Sequence, residues 1–415
     1  MEYLKRDVDI ELDALLPFAP ALALDGPRGV GKTRTATRRA DAVFSLDSKQ
    51  QRAVLQADFA LSSLPSGTVL FDEWQRLPQV WDSVRRRVDA GAPGGRFLLT
   101  GSATPVNEVG THSGAGRILS LRMRPMGLHE RGLVQPTVSL GALLAGSIEV
   151  AGHTTFGLTD YAEQIVGSGF PGIMGRGPRL GRQMLDAYLV RLVDRDMVEQ
   201  GLRVRRPDTL RRWLAAYAAA SSTTASYSRI LDATTGGDGS QPAKTTTIAY
   251  RDMLSQLWML DPLHGWLPAN SPLRRLQQAP KHQLADPALA ARLLGLSAGS
   301  LLGPSGAHMA GPLFESLTVL GVRSMAQALE ARVNHMRLTG GDREVDLIVE
   351  GKDGQILGLE VKLNPAVADR DVRHLLWLRD QMPDRVVNLA VITTGDRAYR
   401  RPDGVAVVPL ALLGV

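Results

Sequence analysis

Nine residues near the start of the chain constrain it more than anything else in the sequence. They are Asp25-Gly26-Pro27-Arg28-Gly29-Val30-Gly31-Lys32-Thr33, and they contain the spacing G-x-x-x-x-G-K-T. A short apolar run, Ala21 to Leu24, precedes them and reads as a buried strand, so the motif has the strand before it and the helix after it that the pattern requires. The glycines let the turn wrap closely round an anion, while its N–H groups and those of the following helix point inward. Lys32 reaches β- and γ-phosphates, and the Thr33 hydroxyl is placed to ligate magnesium. The nucleotide-binding set is therefore Gly26, Pro27, Arg28, Gly29, Val30, Gly31, Lys32 and Thr33. The competing reading is a glycine-rich turn with no ligand. A chance match to the full pattern at this chain's composition is about 1 per cent.

A second strand reads from Thr68 to Phe71 and ends in Asp72-Glu73, which suits a central parallel strand delivering acids to its C-terminal edge. Asp72 would hold magnesium through water and Glu73 would polarise the attacking water. Alone, the same pair would serve equally well to cap the next helix. A third strand, Arg96 to Thr100, runs into Gly101-Ser102, and Thr100 and Ser102 compete for contact with the γ-phosphate or the water, with a simple turn as the alternative. Gly116-Arg117 then precedes a strand-like run from Ile118 to Met123.

Taken together, Gly26 to Thr33, Leu70-Phe71-Asp72-Glu73-Trp74-Gln75, Leu98-Leu99-Thr100-Gly101-Ser102, and Gly116-Arg117 leading to Arg124-Pro125-Met126 resemble prokaryotic AAA-type ATPases that carry a C-terminal domain of unknown function. The resemblance implies a parallel sheet ordered 5-1-4-3-2, a sensor of the γ-phosphate at Ser102 or Thr100, and a catalytic finger at Arg117 reaching into a neighbouring subunit of a homo-oligomer. ATP and Mg2+ are the cofactors it implies, and Glu73, Lys32 and Arg117 the catalytic residues. An arginine acting in trans is worth about 10³ to 10⁵ in rate; the plain alternative for Arg117 is one surface arginine among many. Gly169-Phe170-Pro171, after the helical-looking Asp160 to Val166, resembles the Gly-x-Pro element of the family's helical lid, and a helix-ending turn reads equally well there. Tyr188 to Asp196 reads as the amphipathic helix that ends the lid.

Between Arg203 and Pro280 the text changes. Helices read over Arg211 to Ala220, Tyr227 to Ala233 and Thr245 to Met259, with a flexible connector from Thr234 to Ser240. Three helices followed by Trp258 to Trp266 resemble a winged helix-turn-helix, whose third helix would bring Lys244, Thr245, Thr246, Thr247 and Arg251 to duplex DNA. Only two of these are charged, which is thin for phosphate neutralisation, although the arginines at 203, 205, 206, 211 and 212 would add to it. A protein-contacting helical module is the other account.

The Gly/Pro/Ser-rich stretch from Leu296 to Pro312 separates the next domain, and Gly311 to Glu315 opens a helix. Two strands follow, Arg343 to Glu350 and Ile356 to Lys362, joined by a hairpin at Lys352 to Gln355. Asp346, Glu360 and Lys362 share the D-(x)n-E-x-K arrangement of restriction-endonuclease-like nucleases, with Glu315 at the usual acidic helix position. Two-residue periodicity puts Glu360 and Lys362 on one sheet face, where in such enzymes carboxylates bind magnesium and the lysine stabilises developing charge. A hairpin that merely alternates acids with apolar residues is the alternative. Val387 to Thr393 and Gly404 to Val408 complete the sheet.

Length and composition bound these readings. At about 150 residues per domain, 415 residues imply two or three domains; the motifs divide them into an ATPase domain (1–150), a helical lid (151–202), a winged-helix-like domain (203–285) and a nuclease-like α/β domain (300–415). The absence of cysteine excludes disulfides, thiolate metal sites and cysteine nucleophiles. No apolar run approaches the roughly 18 residues of a membrane span, and Met1 to Asp13 has no secretory h-region, so a cytoplasmic protein is expected. The net charge of +6 permits contact with a polyanion, but only seven of the 48 basic residues are lysine, and that arginine excess matches a GC-rich genome. The expectation is a magnesium-dependent ATPase whose cycle rearranges its C-terminal modules. The alternatives are a slowly hydrolysing switch for a protein partner and a nucleotide-gated DNA nuclease.

Overall fold

The computed structural model describes residues 2–102, 114–146, 149–199, 206–234, 242–267, 279–338 and 340–415. A five-stranded sheet comes first: β1 (Ala21–Asp25), β2 (Ala42–Ser45), β3 (Val69–Asp72), β4 (Phe97–Gly101) and β5 (Leu119–Arg122), all parallel, in the order β5-β1-β4-β3-β2. That is the order the resemblance implies. Along β1 the side chains alternate, Leu22 and Leu24 joining one core while Ala21 and Ala23 join another with Phe71, Phe97 and Leu99. Burial on both faces is why β1, β3 and β4 read as unbroken apolar runs. β2 escapes that signal: it is a four-residue edge strand, none of whose side chains is fully buried, and the sequence reading passes over it.

Helices Leu158–Val166, Pro178–Arg191, Pro207–Ala219, Tyr227–Ala233 and Lys244–Gln256 form the middle of the chain, and Leu192–Asp196 extends the second of them as a π-helix. The three expected helices of the middle domain are found within a few residues of their expected bounds. Arg203, Arg205 and residues 235–240 of the connector lie outside the described residues. Past the third helix, Leu260 stands antiparallel to Leu284 and Leu263 to Lys281.

The C-terminal part is a mixed sheet. With β6 (Val138–Ser139) and β7 (Gly152–His153) upstream, its strands are β8 (Arg332–Arg337), β9 (Glu344–Glu350), β10 (Ile356–Val361), β11 (Val386–Thr393), β12 (Arg397–Arg400), β13 (Ala406–Pro409) and β14 (Leu413–Gly414). Seven of them are ordered β7-β12-β13-β11-β10-β9-β8, and β6 pairs with β14. The connector from Gly127 to Thr155, which follows no recognisable sequence pattern, thus hydrogen-bonds through β6 and β7 to the far end of the chain.

The Gly/Pro/Ser-rich stretch from Leu296 to Pro312 is itself helical: it holds helix Ala298–Leu302 and the start of the 22-residue helix Ala307–Ala328, with Pro312 inside it. A proline in a helix interior costs about 3 kcal/mol. Burial of Met309, Leu313, Phe314 and Leu317 from the same helix offsets it. Phe314 meets Tyr161 edge to face at 5.2 Å, tying this helix to the helical middle. Among the described residues no helix is long and apolar enough to cross a membrane.

Candidate nucleotide site

The loop after β1 is shaped by close approach. A Cβ on Gly26 would lie 2.1 Å from the Met123 carbonyl oxygen, so only glycine fits beneath the end of β5. Gly31 has φ +102°, a left-handed conformation that turns the chain into helix Lys32–Thr37. Arg6 bolts the N-terminal segment to this loop, donating to the Val30 and Arg124 carbonyls and to the Glu130 carboxylate.

Lys32 is 5% exposed and its Nζ donates to the carbonyls of Gly26 and Pro27 at 2.8 and 2.9 Å. Burial pulls its ammonium down to about 8, and the carboxylates of Glu73, Asp25 and Asp72 oppose that pull. Asp25, at the end of β1, is pushed up by burial and held back by a hydrogen bond with Ser120 and by the Lys32 charge.

The adjacent strands β3 and β4 deliver the remaining groups to the same edge. Thr33 Oγ1 donates to Asp72 Oδ1 at 2.7 Å, and Thr100 Oγ1 donates to the same oxygen at 2.5 Å. Glu73 Oε1 accepts from Ser102 Oγ at 3.0 Å and Glu73 Oε2 from Gln75 Nε2 at 2.6 Å. The Glu73 backbone has φ +56°, sparsely populated for a residue with a side chain and typical of positions where function holds the conformation. Of the two competing residues, Thr100 faces Asp72 and Ser102 faces Glu73.

Arg117 is not brought to this cluster. It precedes β5 at the opposite edge of the sheet, is about half exposed, and pairs with Asp89 at 2.9 Å. Among the described residues its side chain bonds to Asp89 and the Ala115 carbonyl and to no phosphate-loop residue.

The helical layer closes over the loop. The Gly169 carbonyl accepts from Met126 N at 2.8 Å, the Phe170 ring stacks tilted on Tyr188 at 5.0 Å, and the Tyr188 hydroxyl donates to the Arg28 carbonyl at 3.1 Å. The Arg28 guanidinium pairs with Asp196 of the π-helix and stands 3.9 Å from Glu199, which also pairs with Arg76 at 3.0 Å. The sequence reading missed this latch, because nothing local to Asp196 or Glu199 points to residue 28. Burial raises the Asp196 carboxyl while Arg28 draws it back.

Two other sets follow the same accounting. On helix Lys244–Gln256, Lys244 and Thr245 are exposed, but Thr246 is half-buried, Thr247 buried, and Arg251 engaged by Asp252 and the Tyr227 ring. In the C-terminal sheet, Lys362 Nζ donates to Glu360 Oε2 at 2.9 Å, so the two do share a face, and Asp346 Oδ2 accepts from Val361 N at 3.0 Å. What sequence reasoning overlooked is Lys281, whose ammonium lies against Glu315, Glu344 and Asp346. It is one of only seven lysines, a scarcity that already marks Lys32 and Lys362.

Residues 19–131 match the model of an AAA domain, so this part of the chain is a P-loop domain of AAA type. Residues 158–300 and 310–413 match two domains of unknown function, DUF8612 and DUF4143. Over 98% of its length the chain is 27% identical to uncharacterised proteins of Mycobacterium bovis and Mycobacterium tuberculosis, covering 83% of each. Among solved structures, the Aeropyrum pernix ORC2 protein in ADPNP and ADP complexes aligns over 69% of this chain and 89% of its own, with 13% identity and a TM-score of 0.28. Drosophila ORC bound to DNA aligns over 63% and 86%, with 12% identity and a TM-score of 0.21. Superpositions that shallow carry no weight beside the sheet order and the loop.

Proposed function

We propose that this protein is a magnesium-dependent ATPase of the AAA type whose hydrolysis cycle rearranges its helical and C-terminal modules. One observation carries the reading: Lys32, Thr33, Asp72 and Glu73 converge at the C-terminal edge of a 5-1-4-3-2 parallel sheet, where Thr33 and Thr100 donate to Asp72 and Ser102 donates to Glu73. The donor set fits a triphosphate with a hard divalent ion, since the Thr33 hydroxyl and the Asp72 carboxylate already meet at 2.7 Å and offer only oxygen. Magnesium, when bound, neutralises charge on the phosphates. Lys32 would exchange its two carbonyl acceptors for phosphate oxygens. Glu73, held at its strained φ, would orient and deprotonate the attacking water, and Ser102, on the same carboxylate, would report its position. Arg117, at the far edge of its own sheet, suits action on a neighbouring copy in a homo-oligomer.

Substituting Glu73→Gln keeps the side chain's shape and removes the base. The variant should bind ATP as the parent does while steady-state phosphate release falls by about 10²-fold or more. Parental turnover in Glu73→Gln would remove this residue from the chemistry.

The latch from Arg28 to Asp196 favours a second reading, a slowly hydrolysing switch that signals to a protein partner through its helical layer. That reading predicts one burst of phosphate per chain with no sustained turnover. The nuclease-like reading of the C-terminal domain and the winged-helix reading of the middle domain, with duplex DNA as its ligand, remain parts of the proposal that rest on residue arrangement alone.

A further inference from the structure

The chain leaves β3 through a short 3-10 turn, Trp74–Arg76, that begins on Glu73. Arg76 N donates to the Glu73 carbonyl and Leu77 N to the Trp74 carbonyl, both at 2.9 Å. Side chains pin the turn on either side. The Trp74 indole, 6% exposed, stacks tilted on Trp81 of helix Gln79–Asp89 at 4.5 Å, and Arg76 pairs with Glu199 of the helical layer at 3.0 Å. Between these anchors Gln75 turns its carboxamide back to Glu73, donating from Nε2 to Oε2 at 2.6 Å, while Ser102 reaches Oε1 from just beyond β4.

Two atoms of this turn lack what burial ordinarily demands. Among the described residues neither Trp74 Nε1 nor Gln75 Oε1 has a hydrogen-bond partner, although both are shut off from water. They lie against Gly101, where a Cβ would stand 2.7 Å from the indole nitrogen and 3.1 Å from the amide oxygen, so a side chain at 101 would push the turn away. Buried polar atoms are normally paired, and an exception marks a group held for some other purpose. Among the described residues the one side-chain hydrogen bond of Gln75 goes to Glu73. The terminal torsion of a glutamate is broad, and a base works only within hydrogen-bond reach of the proton it takes. Two donors from different elements, one on each oxygen, fix that torsion; a single donor would leave the carboxylate free to swing about one bond. Gln75 and Ser102 also line a cavity of about 90 Å³ together with Arg28 and Tyr188, where one water needs only about 10–15 Å³. Both donors thus border a space large enough for water.

We propose that Gln75 is a positioning residue of the hydrolytic site: with Ser102 it fixes the plane of the Glu73 carboxylate, so that the base stays aimed at the water it deprotonates. The inference rests on the ATPase reading and adds to it a residue that acts only through Glu73.

The test compares full-length wild type, Gln75→Leu, Gln75→Asn, Glu73→Gln and the combined Glu73→Gln and Gln75→Leu chain. It reads ATP affinity by calorimetry with magnesium, and phosphate release in a single turnover with protein in excess. Leucine removes the donor at similar volume, and asparagine keeps an amide one methylene short of Glu73. Both should slow the single-turnover step by about 10- to 100-fold, the scale on which a misplacement of about 1 Å is felt, and leave the ATP dissociation constant unchanged. In the Glu73→Gln background, Gln75→Leu should slow release no further, because nothing remains to be positioned. Parental release in either single Gln75 variant would overturn the proposal, as would a loss that recurs at full size in the Glu73→Gln background or that tracks weakened ATP binding. Should Gln75→Leu fail to fold, Gln75→Asn alone and in the Glu73→Gln background decides by the same criteria. Slow release in Glu73→Gln beside parental release in Gln75→Leu sinks this inference and leaves the ATPase reading standing; parental release in Glu73→Gln, or none in wild type, brings down both.

Discussion

Lys32 carries its charge against its surroundings, and that has a sign. Its folded value of about 8 lies below the 10.5 of a free amine, so between those values the unfolded chain binds more protons and stability of the fold rises with pH. Nucleotide binding runs the other way, because a triphosphate needs the ammonium. ATP affinity should therefore weaken above about pH 8, approaching tenfold per pH unit; dissociation constants measured from pH 7.5 to 9.5 check this, and a flat profile would show that the Lys32 charge is not used. The phosphate loop and Asp72-Glu73 were legible in the sequence because their chemistry demands fixed local spacing. Lys281 was not legible, because its acid partners lie 34 and 65 residues away and no local pattern links a lysine to carboxylates that only folding brings near. Arg28 is the same case, its role hidden until a helix more than 160 residues later supplies Asp196.

At the scale of elements, burial on both faces made β1, β3, β4, β9, β10 and β11 readable, whereas β2, β6, β7, β12 and β14 are short edge or bridging strands whose pairing depends on distant partners. Helix Ala307–Ala328 starts four residues before the Gly311 that the sequence suggests, because buried packing rather than local composition sets its first turn. Its other end enters an ionic joint. Asp261 receives Arg122 at 3.0 Å and Arg124 at 2.8 Å from the end of β5, and Arg323 at 2.7 Å from this helix. Burial alone would raise the Asp261 carboxyl, yet the three guanidiniums hold it well below the ordinary range. Asp261→Asn would leave three arginines facing one another with little water to screen them. The expected cost is about 3–5 kcal/mol, typical of breaking a buried pair by removing one partner, seen as a lower midpoint in denaturant unfolding. A midpoint equal to wild type would show that the joint is solvated and weak.

Over the whole molecule, three sequence regions share one continuous set of contacts. The AAA-type sheet meets the helical layer at the phosphate loop, the helical layer meets the C-terminal domain through residues 281–286, and β6 and β7 return the connector to the last strands. Arg117 belongs to this scale because it faces away from its own loop. If it completes a neighbour's site, turnover per chain rises with protein concentration, and Arg117→Ala lowers turnover by about 10³-fold or more with ATP affinity unchanged; wild-type turnover in that variant would return Arg117 to the surface arginines. Beneath every step lies the grip of the loop from Gly26 to Thr33 on a triphosphate. Calorimetric titration of wild type and Lys32→Ala with ATP and magnesium tests it most directly. The account predicts one ATP per wild-type chain and loss of binding in the variant, and it is contradicted if wild type binds no nucleotide or if Lys32→Ala binds as tightly as wild type.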